Sequence, residues 1–267
     1  MEERVINYRT ERNNNYQIFS LTRMGRRMLT LTDLMEMGTI SEEIAGVLVF
    51  AMSNGFSFIT AASPNGAGKS TLMAALLNFV KPGIQIKTYS GRREVELESN
   101  QEYFIAHEIY NSPFYSYIWG KAAGVFFSFI RKGTIVSTVH ADNLAEMRNI
   151  LLNPPLSINQ KDFNQVDLII FLKVEEDHSR KISSIYYPNQ QNHRRLYSSI
   201  STFNQFNREL TNYIRTISII KKIPQKRIEL QIERSNAFIK KLKEKRINTF
   251  LSIREEYLNF YQNEFIS

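Results

Sequence analysis

The distribution of apolar and polar residues divides the chain into short apolar runs and longer segments with a helical repeat. Short apolar runs bounded by polar or turn-forming residues are typical of buried strands. They predict strands at residues 16–21, 56–62, 84–88, 103–106, 134–138 and 168–172, with residues 181–187 as the hairpin partner of the last. Apolar residues three and four positions apart, preceded by capping residues, predict helices between these strands. The predicted helices are residues 34–37, 42–53, 70–80, 113–132 and 144–152.

This alternation of strands and helices predicts an α/β domain with a mostly parallel sheet. The C-terminal part has a different pattern, in which Pro224 begins one amphipathic helix and residues 249–262 form another. The apolar stripe of the first helix consists of Ile228, Ile232, Ile239 and Leu242. We therefore divide the chain into an N-terminal extension (1–17), an α/β domain (18–204) and a C-terminal helical region (205–267).

Composition indicates an ordinary globular protein, since 43% of the 267 residues are hydrophobic and 22% are charged. The absence of Cys excludes disulfides and thiolate metal sites. The chain begins Met-Glu-Glu-Arg, which is not the start of a signal peptide, and its longest apolar stretches are interrupted or too short to cross a bilayer. We therefore expect a cytoplasmic protein.

The net charge of +8 is concentrated near the C-terminus, where 13 Lys and Arg stand against 7 Asp and Glu from Gln205 onward. A solvated helical face is one explanation, and a charged partner or a membrane surface is the other. Five cations near the end of the first C-terminal helix form a basic cluster: Lys240, Lys241, Lys243, Lys245 and Arg246. Because like charges this close repel each other, we predict that the basic cluster faces an acidic partner or anionic lipid head groups.

A loop of small and polar residues connects the predicted strand at 56–62 to the predicted helix at 70–80. Its residues are Ser63, Pro64, Asn65, Gly66, Ala67, Gly68, Lys69, Ser70 and Thr71. A strand, a Gly-containing loop, Lys-Ser and a helix form the context of a phosphate-binding loop, although Ser63 stands where the usual pattern has Gly. Backbone N–H groups and the helix N-terminus attract an anion there, Lys69 adds a full charge, and Ser70 offers a hydroxyl to Mg²⁺. The alternative is a polar turn without a ligand, but the motif favours a site for nucleotide phosphates.

Polar side chains also follow two other predicted strands, with Glu108 after residues 103–106 and His140 after residues 134–138. In an open parallel sheet, positions after the carboxyl ends of strands converge on one crevice. Glu108 is suited to orienting an attacking water, and His140 is suited to sensing a γ-phosphate if its strand is a neighbour. Taken alone, a strand-end charge and a structural histidine explain these residues as well.

Strings around these residues resemble the motor ATPases of secretion systems and type IV pili, most closely the archaeal branch that drives archaella and adhesion pili. Residues 19–21 and 30–39 resemble the start of that motor domain. Glu108 resembles the glutamate that closes its Walker B strand, and residues 137–142, which include His140, resemble its His box. Later parts of the same domain are similar to residues 152–155, 167–173 and 228–261.

The resemblance implies a RecA-like P-loop NTPase fold, ATP and Mg²⁺ as ligands, and ATP hydrolysis in a homo- or hetero-hexameric ring docked on a membrane platform protein. Lys69 would hold the β- and γ-phosphates, Ser70 the metal and Thr71 a neighbouring phosphate. Glu108 would position water, and His140 would report the γ-phosphate. Nucleic acid is not an expected partner, because no groove of cations and stacking aromatics is recognisable. A nucleic-acid-dependent ATPase with the same core is therefore only the third hypothesis.

The sequence also departs from that family. The family's large N-terminal domain is absent or reduced to the first twenty or so residues, and Tyr-Ser-Gly at residues 89–91 replaces its acidic box. His107 stands where the Walker B strand usually has Gly, and Tyr-Asn at residues 110–111 replaces an Arg-Asp pair. Lost carboxylates and arginines slow phosphoryl transfer. A catalytically degenerate, nucleotide-binding regulatory or structural subunit is therefore the second hypothesis.

Overall fold

The computed structural model of the protein describes residues 7–21, 27–91, 102–191, 194–201 and 206–264. Within these ranges the chain forms a sheet of nine strands. The strands are β1 (Phe58–Ala61), β2 (Ile86–Thr88), β3 (Tyr103–Ile105), β4 (Glu108–Ile109), β5 (Tyr117–Ile118), β6 (Thr134–Val139), β7 (Leu168–Val174), β8 (Arg180–Gln191) and β9 (Arg194–Ser201). The helices are α1 (Tyr8–Phe19), α2 (Leu31–Glu36), α3 (Glu42–Ser53), α4 (Lys69–Leu77), α5 (Lys121–Ser128), α6 (Leu144–Leu152), α7 (Gln160–Phe163), α8 (Phe206–Lys221), α9 (Gln225–Glu244) and α10 (Phe250–Glu264).

The order of the strands brings the predicted site residues together at the carboxyl ends of neighbouring strands. The order is β2-β3-β6-β1-β7-β8-β9, and β4 and β5 continue the sheet beside β6. Along this order, each neighbouring pair from β2 to β7 is parallel, whereas the pairs β7–β8 and β8–β9 are antiparallel. This confirms the α/β class and the mostly parallel sheet. Because β6 pairs directly with β1, with Ala61 opposite Val139, the residues that follow both strands meet at the same edge.

Hydrophobic cores lie on both faces of the sheet. Successive residues of a strand point to opposite faces, and in β1 Phe58 packs with one core and Ile59 with the other. The first core takes in apolar residues of α2, α3, α4, α8, α9 and α10. The second core takes in those of α5, α6 and α7. The site therefore stands on a sheet that is covered on both sides.

The predicted strand at residues 16–21 is wrong, because residues 16–19 belong to α1, whose N-cap is Asn7, and residues 20–21 form a turn after it. The helix is fixed by contacts between residues far apart in the chain. The buried side chain of Asn14 donates to the carbonyl of Ile84 at 2.7 Å and accepts from the N–H of Ile86 at 2.8 Å. It thus supplies hydrogen bonds at the outer edge of β2, where no further strand pairs in the described chain.

Two other predicted helices have different bounds. The helix predicted at residues 113–132 begins only at Lys121, because Gly120 has a positive φ of 57° and the preceding residues pair with β4 as strand β5. Helix α2 begins earlier than predicted, since Thr30 forms a capping box with Asp33. Strand β9 and helices α7 and α8 were not predicted from the sequence.

The two predicted C-terminal helices are confirmed as α9 and α10. The predicted apolar stripe of α9 is buried: Ile228, Ile232, Ile239 and Leu242. Helix α9 packs closely against α3 at Gly46, where a Cβ atom would lie 1.7 Å from Asn236 Oδ1. The division into domains remains a prediction, and residues 1–6, 202–205 and 265–267 lie outside the described ranges. Among the helices of the described residues, none has the length and apolar character needed to cross a membrane.

Candidate functional site

The loop between β1 and α4 has the backbone of an anion site. Gly66 and Gly68 have left-handed φ values of 81° and 97°, which cost little for Gly and help to turn successive N–H groups inward. The first hydrogen bond of α4 joins the N–H of Leu72 to the carbonyl of Gly68 at 2.9 Å. The three N–H groups before it have no acceptor in the helix, and no side chain caps this end. An uncapped helix N-terminus of this kind attracts negative charge.

Lys69 places a buried ammonium at this helix end, with 6% of the residue exposed. Its Nζ atom donates to the carbonyl of Ala62 at 3.3 Å and lies 3.5 Å from Glu108 Oε1. Burial lowers the pKa of Lys69 below its ordinary value, and the negative charge of Glu108 partly offsets this. A further negative charge nearby would favour the ammonium, so the environment is suited to binding an anion.

Glu108 lies just after β3, at the start of β4, and is 7% exposed. Its Oε1 atom is 2.9 Å from His140 Nε2 and 3.5 Å from Lys69 Nζ. This oxygen is buried, and it accepts no hydrogen bond of good geometry from the described residues. The structure therefore brings together Lys69, Glu108 and His140, as expected from the strand ends, and their catalytic roles remain predictions. A buried carboxylate with spare accepting capacity can bind a water.

His140 is held between Glu108 and the phosphate loop. Its Nδ1 atom is 2.9 Å from the carbonyl oxygen of Ser63, while Nε2 faces Glu108. An imidazolium would donate to both oxygens, whereas a neutral ring donates to one. The N–H of Ser63 donates to Asp142 Oδ1 at 3.0 Å. Residues 140–142 are thus linked to the first residue of the loop by two polar contacts.

A cavity of about 490 Å³ opens in front of the loop, which lies within the usual range for small-molecule sites. Its polar wall consists of residues 65–71 and Glu108. Its apolar lining includes Leu29, Leu34, Met37 and Leu172. Three predicted site residues contact or continue this wall but do not line the cavity in the described chain: Ser63, Pro64 and His140. One side of the cavity therefore carries groups that can bind phosphate, and another side is apolar.

The residues present fit Mg²⁺ only together with a phosphate ligand. Ser70 lines the cavity and offers a hydroxyl. The described residues contain no group of three or more His, Asp and Glu arranged to hold a metal ion. At the expected position of the acidic box, Tyr89 is buried, and its ring lies 6.2 Å from that of Phe126. Mg²⁺ commonly keeps waters and binds phosphate oxygens with few protein ligands, which suits a site with one hydroxyl.

His107 stands between β3 and Glu108. Its Nε2 atom is 3.1 Å from Ser20 Oγ, and its ring packs edge-on against Tyr115 at 5.7 Å. Burial lowers the pKa of His107 to about 4. The ring is therefore neutral at pH 7 and adds no positive charge beside the buried carboxylate.

Arg180 is a residue of the cavity that was not predicted from the sequence. It begins β8, lines the cavity, and its Nε atom donates to the carbonyl of Gly66 at 2.7 Å. The two residues are 114 positions apart, so no local motif could indicate the contact. No sequence motif indicates the role of Asp142 either, because its bond to Ser63 depends on the tertiary structure.

No family model matches the sequence, and no curated protein matches it either. Among solved structures, the VirB11 ATPase from the Brucella suis type IV secretion system, in complex with sulphate, is similar over 70% of this chain, with 16% identity and a TM-score of 0.40. The Legionella pneumophila ATPase DotB is similar over 86% of this chain, with 11% identity and a TM-score of 0.37. The chain covers 64% and 65% of these two proteins. A likeness at this level does not assign a family.

Proposed function

We propose that this chain binds ATP with Mg²⁺ at residues 63–71 and hydrolyses it, as a RecA-like motor subunit of a secretion, type IV pilus or archaellum-like assembly. The observation that carries the proposal is the cluster of Lys69, Glu108 and His140, whose polar atoms lie 2.9–3.5 Å apart at the ends of neighbouring strands. Stability alone gives little reason for such a cluster, because a buried ion pair contributes little net free energy of folding. Its place beside an uncapped helix N-terminus supports a role in binding phosphate.

Binding would begin with an exchange of partners at Lys69. In the structure its ammonium pairs with Glu108 at 3.5 Å. A triphosphate carries more negative charge than one carboxylate, and it reaches the N–H groups of the loop at the same time. The phosphates would therefore replace Glu108 as the main partner of Lys69 and raise the pKa of that ammonium.

Glu108 would then be available to the attacking water. Its carboxylate would accept a hydrogen bond from the water and orient it towards the γ-phosphorus. The water oxygen would form the new P–O bond while the bond to the leaving ADP oxygen breaks, and the proton that the water loses would pass to the carboxylate of Glu108. His140, which contacts both Glu108 and Ser63, would connect the γ-phosphate position with β6.

Bound Mg²⁺ would neutralise charge on the β- and γ-phosphate oxygens. Ser70 is the residue that would hold it, because it lies in the first turn of α4, lines the cavity and carries a hydroxyl. Thr71, the next residue of the same turn, would contact a neighbouring phosphate.

Hydrolysis of ATP by the purified protein tests this function. We expect the wild type to release phosphate and Lys69→Ala to lose at least about a hundredfold in rate, because the charge that neutralises the transferred phosphate is gone. Thermal unfolding of the variant serves as the control for folding. Equal phosphate release by the wild type and a folded Lys69→Ala variant would contradict the enzymatic function.

A nucleotide-binding subunit without turnover is the second candidate, and the buried aromatic contacts of Tyr89 favour it. Tyrosine carries no carboxylate, so position 89 cannot help to order a metal as the acidic box would. This candidate predicts that ATP raises the melting temperature through binding to the folded state, while single-turnover hydrolysis stays undetectable. Rapid single-turnover hydrolysis by the protein alone would exclude it.

The hexameric ring and the membrane platform partner rest on the sequence resemblance. A ring predicts that the 31.2 kDa chain sediments as a hexamer with ATP present. A monomer under the same conditions would contradict the ring and leave nucleotide binding as a separate question. A nucleic-acid-dependent ATPase would be supported only if single-stranded DNA bound in a salt-sensitive manner and stimulated hydrolysis.

A further inference from the structure

We propose that Arg180 is a second phosphate-binding cation of this site, acting from β8 beside Lys69. The proposal rests on the nucleotide site proposed above and adds a binding residue to it. Its starting point is the hydrogen bond from Arg180 Nε to the carbonyl oxygen of Gly66, at 2.7 Å. This bond attaches the guanidinium directly to the glycine turn of the loop.

A second contact fixes the stem of the same side chain. The Cδ atom of Arg180 lies 3.6 Å from the position that a Cβ atom would take at Gly68. The stem therefore lies over the glycine before Lys69. With the stem and Nε both fixed, little rotamer freedom is left to lose when the guanidinium binds a ligand.

The remaining amino groups of Arg180 face no acidic partner in the described part of the chain. Among the described residues, two arginines line the cavity, and they differ in this respect. Arg27 pairs with Asp33 at 2.7 Å, so its charge is already balanced. Arg180 makes no ion pair within the described residues, and the nearby Glu175 pairs instead with Lys173 at 2.9 Å.

The chemistry of an unpaired guanidinium in this place points to a phosphate group. A guanidinium has donors in one plane and binds two phosphate oxygens at once, while Nε keeps a separate donor for the loop. Lys69 is buried, whereas Arg180 is exposed, so the two cations would hold the phosphate chain from the inner and outer sides of the cavity. Lysine at position 180 could not make the loop bond and the bidentate phosphate contact together.

Titration calorimetry with ATP and with pyrophosphate tests the assignment. Arg180→Ala should weaken both ligands by about tenfold to a hundredfold, as expected for charge-assisted hydrogen bonds, and Arg180→Lys should lie between this variant and the wild type. Lys181→Ala is the matched control, because it removes the adjacent cation of the same strand, which lies 3.9 Å from Glu175. It should bind both ligands like the wild type.

The outcomes separate this inference from its alternatives. Loss of ATP affinity without loss of pyrophosphate affinity would mean that Arg180 contacts the nucleoside, and wild-type affinity in Arg180→Ala would mean that it contacts no ligand. A purely structural hold on the loop predicts equal losses in Arg180→Ala and Arg180→Lys that salt does not change, whereas a phosphate contact predicts losses that shrink with salt through screening. Each of these three results overturns the inference while wild-type binding still supports the nucleotide site. Absence of binding by the wild type overturns both.

Discussion

In the proposed function, turnover depends on Glu108. Its buried Oε1 atom faces both Lys69 and His140, so binding and hydrolysis should respond differently to its loss. We expect Glu108→Gln to bind ATP at least as tightly as the wild type, because the carboxylate no longer competes for Lys69. The rate of hydrolysis should fall by about 10²–10⁴-fold, the usual share of a positioned base. Paired binding and single-turnover measurements check this, and parallel loss of binding would contradict the role.

His107 should make stability depend on pH. Burial lowers the pKa of His107 to about 4 in the folded protein, against about 6.5 in the unfolded chain. Between these values the unfolded chain binds more protons, so the free energy of unfolding falls as the pH drops, by at most about 1.4 kcal/mol per pH unit for one group. His107→Gln should remove this part of the slope. Urea unfolding of both proteins across this range measures it, and a constant difference between the two would contradict the prediction.

The residues of the site were predictable from the sequence to the extent that they lie in a local motif. Lys69 and Ser70 belong to a short motif in which neighbouring residues set the backbone conformation. Glu108 and His140 could be placed by their strand ends, and their contact required only that β3 and β4 lie beside β6. Arg180 could not be placed, because its contact with Gly66 joins residues 114 positions apart and depends on β7 lying beside β1.

Helices α3 and α9 approach each other at Gly46 more closely than a side chain at that position would permit. At Gly46 a Cβ atom would meet Asn236 Oδ1 at 1.7 Å and the backbone nitrogen of Asn236 at 3.1 Å. We expect Gly46→Ala to destabilise the fold by about 1–3 kcal/mol through overpacking. Gly124→Ala, at an open position of α5, is the matched control and should stabilise by about 0.5–1 kcal/mol.

Urea unfolding measures both substitutions. Combining Gly46→Ala with Asn236→Ala should restore part of the loss, because the side-chain clash disappears while the close backbone contact remains. A neutral Gly46→Ala variant would show that the two helices can separate without cost.

The errors in element prediction have a common physical cause. Residues 16–21 contain an apolar run that suits a strand, but the helix is fixed by Asn14 on the backbone of β2 and by a buried ion pair of Glu11 with Arg254 at 2.8 Å. Both contacts join residues far apart in the sequence. The core strands were predicted well because their apolar runs are buried on both faces, and that pattern is local.

At the scale of the whole molecule, part of the predicted basic cluster is balanced within the chain. Lys241 lies 3.2 Å from Glu256, Lys243 pairs with Glu42, and Lys240 lies 3.9 Å from Glu244. Lys245 and Arg246 form no ion pair with the described residues. Three of the five cations therefore have a structural partner, and a membrane or acidic partner would act mainly through the other two.

Reversal of these two charges tests the membrane prediction. Lys245→Glu with Arg246→Glu should weaken binding to phosphatidylserine-rich vesicles by about fivefold per residue or more, given about 1 kcal/mol per cation. A double reversal at Lys121 and Lys161, which lie on α5 and α7, controls for net charge. ATP affinity should stay unchanged in both variants. If the two double variants cosediment equally, the basic cluster is a solvated helix end.

The proposed function requires that residues 63–71 form a nucleotide-phosphate site with Lys69 as its cation. Calorimetric titration of the purified chain with ATP and Mg²⁺ tests it most directly. We expect one site per chain and an affinity at least about tenfold to a hundredfold weaker in Lys69→Ala. Lys81→Ala, which removes a cation beyond the opposite end of α4, should keep wild-type affinity. Absence of ATP binding by the wild type, or equal binding by a folded Lys69→Ala variant, would contradict the claim.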